Sequence, residues 1–150
     1  MANKDVRILW YGDAVIKKLN SRIGANIEKA AIHFQNALKE TLSKPGTGKR
    51  YRRRGKPGDK RKVGSYHVAS RPGQPPAVDM GNLRRSIFMK YRKSTYSARI
   101  GVRSVYARRL EFGGAHTTKN GKVITVAARP YLHPTFRRER KAMIRIIAGK

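Results

Sequence analysis

Between Asp13 and Ser43 the apolar residues Val15, Ile16, Leu19, Ile23, Ile27, Ala30, Ala31, Phe34, Leu38 and Leu42 recur at steps of three and four. That spacing gathers side chains into one stripe only on an α-helix, so a fifth of the chain is committed to one long helix before anything else is decided. Asp13 stands ahead of the stripe as a candidate N-cap, and Lys44-Pro45-Gly46 supplies a stop signal. Lys17, Lys18, Arg22, Lys29 and Lys39 fall mainly off the stripe. Gly24 is its weak point, costing roughly 1 kcal/mol relative to Ala. The stripe needs a cover, supplied by the rest of its own domain or shared with a neighbouring subunit.

The remainder reads as short elements. Val63 to Val68 suits a short strand, and Ser70-Arg-Pro-Gly-Gln-Pro-Pro-Ala77 an extended, turning loop. Asp79 is placed to cap a short helix over 80–86 that turns Leu83 and Ile87 inward. Phe88 to Arg92 and Ser97 to Val102 flank Lys93-Ser94-Thr95 as an antiparallel hairpin. Tyr106 to Phe112 suits a helix ended by Gly113-Gly114, and Val123 to Ala127 a strand after the Lys119-Asn-Gly-Lys122 turn. Pro134 suits the first turn of a final helix with Phe136, Met143, Ile144 and Ile147 on one face and Arg137, Arg138, Arg140, Lys141 and Arg145 on the other. One α+β domain over residues 1–150 is expected, its long N-terminal helix packed on a small antiparallel sheet of the Phe88, Ser97 and Val123 segments.

Charge then narrows function. Thirty-six Lys and Arg oppose eight Asp and Glu over 150 residues, a formal net charge of +28. Self-repulsion of that size makes a polyanion or an acidic protein surface the expected neighbour. The excess peaks at residues 44–62, where ten cations accompany one acid, Asp59, four glycines and two prolines. With Tyr51 as its only large apolar group, this segment reads as a mobile basic loop that becomes ordered on a partner or stays a solvated charge run. Lys49, Arg50, Arg52, Arg53, Arg54, Lys56, Lys60, Arg61 and Lys62 are the candidate contacts to DNA or to an acidic partner.

Catalytic chemistry finds little to work with. The chain has no cysteine, which removes disulfides, thiolate nucleophiles and cysteine-rich zinc sites. Its carboxylates are scattered singly, and His33, His67, His116 and His133 lie in four different segments without metal-binding spacing. His67 or His116 beside a cation is the best available start for a basic nuclease, but nothing nearby in the sequence positions a partner. The glycine pairs at 46–48 and 113–114 lack the glycine-rich loop, lysine and hydroxyl at the spacing a phosphate loop requires, and read as turns. No catalytic residue, metal or cofactor is expected. Nor is there an apolar run approaching the ~20 residues that cross a bilayer, or a signal peptide in Met1 to Trp10, so the expectation is a soluble, unexported protein with no membrane partner.

Four motifs in order carry a resemblance: Ser70-Arg-Pro-Gly-Gln-Pro-Pro76, Met80-Gly-Asn-Leu-Arg-Arg-Ser-Ile87, Tyr106-Ala-Arg-Arg-Leu-Glu-Phe-Gly113 and Ala128-Arg-Pro-Tyr-Leu-His-Pro134, followed by a terminal helix. With the long first helix, the chain from about residue 12 to 149 resembles the tail-completion, or head-tail joining, proteins of long-tailed bacteriophages, a family that includes the lambda minor tail protein Z. Tyr131 stands where the family usually has Phe, and the basic segment is longer than the family pattern. The resemblance marks Pro75, Pro76, Gly81, Leu83, Ser86, Tyr106, Glu111, Phe112, Gly113, Arg129 and Pro130 as structural motif positions. Glu111 lies amid Arg108 and Arg109 and reads as half of a structural ion pair or, alternatively, as a contact across a subunit interface; Arg129 is expected to be its internal partner, since a guanidinium fits a carboxylate bidentately.

The resemblance implies a virion protein at the neck, or head-proximal end of the tail, assembled in the host cytoplasm. It would form a homo-oligomeric ring, six-fold or twelve-fold, around the DNA path, touching connector, neck and tail-end proteins and the DNA in the lumen. The alternative from a different class is a free protein that binds nucleic acid nonspecifically.

Overall fold

The computed structural model describes residues 11–52 and 66–150. Arg53, Arg54, Lys56, Lys60, Arg61 and Lys62 of the basic segment, with residues 1–10, lie outside the described residues.

The apolar stripe forms helix α1, Gly12–Thr41. Asp13 does not cap it. The helix starts one residue earlier, with Val15 N–H bonded to the Tyr11 carbonyl at 3.1 Å, so Asp13 sits inside the first turn and favours the helix through its charge near the positive end. The last helix, α4, spans Leu132–Ala148 and covers the C-terminal half of α1. Contacts pair Asn26 with the Ile147 carbonyl at 3.2 Å, His33 with Glu139 at 2.9 Å, and Thr41 with Thr135 at 3.2 Å. The partners descend on one helix as they ascend on the other, so the helices are antiparallel. Phe34, buried on α1, meets Phe136 edge to face, ring centroids 5.8 Å apart. Arg138 and His33 both bind the Glu139 carboxylate and hold its pKa below the ordinary value.

Short strands and helices complete the α+β architecture. β1 (Arg50–Arg52) pairs with β2 (Tyr66–Val68), β3 (Ile87–Arg92) with β4 (Ser97–Val102), and β5 (Gly114–Thr117) with β6 (Val123–Val126), each pair antiparallel. α1 lies on β3 and β4, as its stripe requires. Here the expected sheet needs correction: β6 pairs with β5, not with the β3–β4 hairpin. The turn fixes that choice, because Thr118 N–H reaches the Lys122 carbonyl at 2.8 Å while Gly121 takes a positive φ of 73°.

The core closes where these pieces meet, with Leu38, Leu42, Leu83, Ile87, Ala107 and Tyr131 all buried. Gly24 is a notch rather than a defect. A Cβ there would lie 2.5 Å from the Tyr91 hydroxyl and 3.0 Å from the Tyr96 ring, so its absence lets α1 approach the hairpin.

Candidate functional site

The four motifs, up to some sixty residues apart in sequence, converge on one junction at the start of α4. α3, Ala107–Phe112, follows Tyr106 and places Glu111 inward. The Glu111 carboxylate, buried, accepts backbone N–H bonds from Tyr131 at 2.9 Å, Leu132 at 3.0 Å and His133 at 3.0 Å. Those are the donors that the first turn of a helix leaves unpaired. Pro134, next in line, has no N–H, and Thr135 N–H begins the regular pattern by bonding the Tyr131 carbonyl. Glu111 is therefore the N-terminal cap of a helix that begins 21 residues later, and its charge faces the positive helix end.

This overturns the expected Glu111–Arg129 ion pair. Three convergent backbone donors already engage both carboxylate oxygens, and Arg129 turns to carbonyls instead, its Nε to Ser70 at 3.3 Å and Nη1 to Ala127 at 3.2 Å. Arg129 N–H also bonds the Leu110 carbonyl at 2.6 Å, and Gly73 N–H the Ala128 carbonyl at 2.8 Å. The first, third and fourth motifs are thus tied by hydrogen bonds. The second joins through the core by Leu83 and Ile87, and Ser86 Oγ donates to the Leu83 carbonyl at 2.7 Å.

Around the junction the other motif positions take distinct places. Pro76 is buried and Pro75 half-buried. Gly81 precedes α2 (Asn82–Arg85) with φ 72°, so the expected Asp79 cap is displaced; the Asp79 carboxylate instead lies 3.7 Å from His67. Gly113 has φ 72° and ψ −166°, a conformation open essentially to glycine, and a Cβ there would crowd the Val126 carbonyl at 3.0 Å. Burial and the charges of Glu111 and Tyr106 push the Tyr131 hydroxyl pKa up to about 12. Phe112 is 76% exposed and Val105 94%, and Phe112 and Pro130 border an apolar cavity of about 510 Å³ with Tyr131 and Leu132.

The second candidate site is the basic ribbon. Lys44 to Arg52 is not a free arm: Gly48 N–H bonds the Ala69 carbonyl at 2.7 Å, Ala69 N–H bonds that of Lys49 at 3.0 Å, and Arg50–Arg52 continues as β1. A Cβ on Gly46 would run into the carbonyl groups of Val68 and Ala69, so glycine lets the two segments lie this close. Arg50 stacks on Tyr66, its guanidinium 3.7 Å from the ring centroid, and Lys49 lies 5.8 Å from that of Tyr51. Periodicity missed this pairing because three-residue strands are too short to show alternation.

Among the described residues no group of three His, Asp or Glu side chains is placed to hold a metal ion, and no helix is long and apolar enough to cross a membrane. His67 and His116 lie on different hairpins, the latter with Nδ1 buried and unpaired. No family model, no curated protein and no solved structure matches the chain.

Proposed function

We propose that this chain is a structural, non-catalytic protein of a tailed-phage virion that completes the tail and joins it to the head, as copies in a ring around the DNA path. The observation that carries the reading is the convergence of the four motifs: residues that resemble the family in sequence are the ones that build the junction around Glu111. A fold-determining role accounts for that set better than a catalytic one.

Two surface features agree with an assembled state. Val15, Ile16 and Leu19 on α1 are each more than half exposed, as are Val105 and Phe112 near the junction, and apolar groups grouped in this way mark contact surfaces. A net charge of +28 is relieved beside DNA and acidic neighbours. We favour six copies and next twelve, with a heterologous contact between them, since closed rotational symmetry is what a tail axis imposes.

The test is electron microscopy of intact particles made by the genome that encodes this chain. Expected is a closed ring of copies at the head-proximal end of the tail. Absence from purified particles refutes the reading, and a single copy per particle refutes the ring. Nonspecific binding as a free protein is the second reading, favoured by the exposed cations of the ribbon. It requires that the chain be found on nucleic acid in cells and not in particles.

A further inference from the structure

We infer that the β1–β2 ribbon is a binding site for the phosphate backbone of duplex DNA. The site deepens the neck reading, in which duplex DNA runs past the chain, and it is tested apart from that reading. Antiparallel register pairs Arg50 with Val68 and Arg52 with Tyr66, which sets these four residues on one face and Tyr51 and His67 on the other. Arg50, Arg52 and Tyr66 are all exposed. The Asp79 carboxylate lies 3.7 Å from His67, on the opposite face.

The stacking geometry selects the ligand. Arg50 covers the Tyr66 ring at 3.7 Å, and Lys49 lies near the Tyr51 ring. Bases of a single strand stack on bare aromatic faces, and on the arginine face Arg50 already covers one side of the Tyr66 ring. What the ribbon presents outward is guanidinium N–H groups, which match phosphate oxygens. Stacking on Tyr66 also restrains the Arg50 guanidinium, so binding restricts its side chain less. The base of the ribbon is fixed as well, by Gly48 to Ala69, by Arg71 Nε to the Thr47 carbonyl at 3.2 Å and by Thr47 Oγ1 to Gln74 at 2.7 Å. A two-stranded ribbon is of a width that the major groove of duplex DNA admits.

The test measures binding of the full chain to a labelled duplex of about 30 base pairs across a salt series, the length chosen to hold several helical turns. Replacing Arg50→Gln and Arg52→Gln together should lower the slope of log affinity against log salt by about 1.8, or 0.9 for each phosphate that is no longer neutralised. The affinity gap between variant and parent then narrows roughly 12-fold from 50 to 200 mM salt. The control Arg137→Gln with Arg140→Gln removes the same charge from the exposed face of α4 and should leave the slope nearly unchanged. Both double variants should keep the parent's thermal midpoint. Equal slope changes in the two would mean diffuse attraction and overturn the site. So would tighter binding of single-stranded DNA of equal length, or competition by polyglutamate matching that of duplex at equal charge, which would point to an acidic protein. A chain present in the neck with an unaltered slope in the ribbon variant defeats this site alone; ribbon-dependent binding by a chain absent from particles defeats the neck reading alone.

Discussion

Replacing Glu111 by Ala removes the acceptor for three backbone N–H groups at once, one buried and two part-buried. Each buried donor left unpaired costs about 1 to 3 kcal/mol, so the ceiling is roughly 9 kcal/mol. The apolar cavity of about 510 Å³ that Glu111, Tyr131, Leu132 and His133 border gives water a route to the freed donors. The loss should therefore fall near the lower end, about 3 to 4 kcal/mol, a large part of the 5 to 15 kcal/mol that holds an ordinary domain. At roughly 2 to 4 °C per kcal/mol for a chain of this size, the thermal midpoint should fall by about 6 to 16 °C. Glu111→Gln keeps one carbonyl for the Tyr131 and Leu132 amides but points its NH2 at the His133 N–H, and should lie between parent and Ala variant. Removing any acid from so cationic a chain adds repulsion, so the control is Glu40→Ala, an exposed acid on α1 with the same change in charge. Hydrogen exchange should quicken at Tyr131, Leu132 and His133. A Glu111→Ala midpoint equal to that of Glu40→Ala, with unchanged exchange at those amides, would refute the capping role.

Three further outcomes follow from the packing. Gly46→Ala should cost about 1 to 3 kcal/mol in urea unfolding, because the new methyl meets backbone carbonyls that side-chain adjustment cannot move. Phe34→Ala should cost about 3 kcal/mol or more by loss of a buried ring and its edge contact with Phe136, whereas an unshifted midpoint would mean that α1 is not docked there. The Tyr131 hydroxyl titrates near pH 10 in the unfolded chain and near 12 when folded, so its contribution is complete below pH 10 and lost between 10 and 12. Over that window the parent should lose up to about 3 kcal/mol relative to Tyr131→Phe, and parallel pH profiles would contradict it.

What the sequence disclosed depended on the range over which each signal acts. α1, α4 and the β3–β4 hairpin are written in local periodicity, and they form over nearly the residues that periodicity marks. β5 carries Gly114-Ala-His-Thr117, with little strand propensity, and exists because the turn at Gly121 folds it onto β6. The Glu111 cap could not be read locally either: its donors are backbone groups twenty residues away, and backbone N–H groups look the same in every sequence. Counting charges favoured Arg129 as the partner of Glu111 because side-chain charge is all that a sequence displays. Gly24 misled for a similar reason, since the Tyr91 and Tyr96 rings that require it come from another element.

α1 is longer than its cover. α4 ends at Ala148, level with Asn26, so the stripe carried by Val15, Ile16 and Leu19 runs past the packed region and lies 54–62% exposed. Burying it against a second copy would gain roughly 25 cal/mol per Å² of apolar surface, but Lys17, Lys18 and Arg22 flank the stripe and would be brought together. Salt acts on the two terms differently. It screens repulsion beyond a Debye length of about 10 Å at 0.1 M and 3 Å at 1 M, while leaving apolar burial intact or stronger. Self-association through α1 should therefore strengthen with salt, the reverse of phosphate binding by the ribbon, so one salt series separates the two surfaces. Sedimentation should show heavier species at 0.5 M than at 0.05 M salt, and Leu19→Asp should abolish the gain while leaving DNA binding in place. A monomer at every salt concentration would rule out self-association through this stripe.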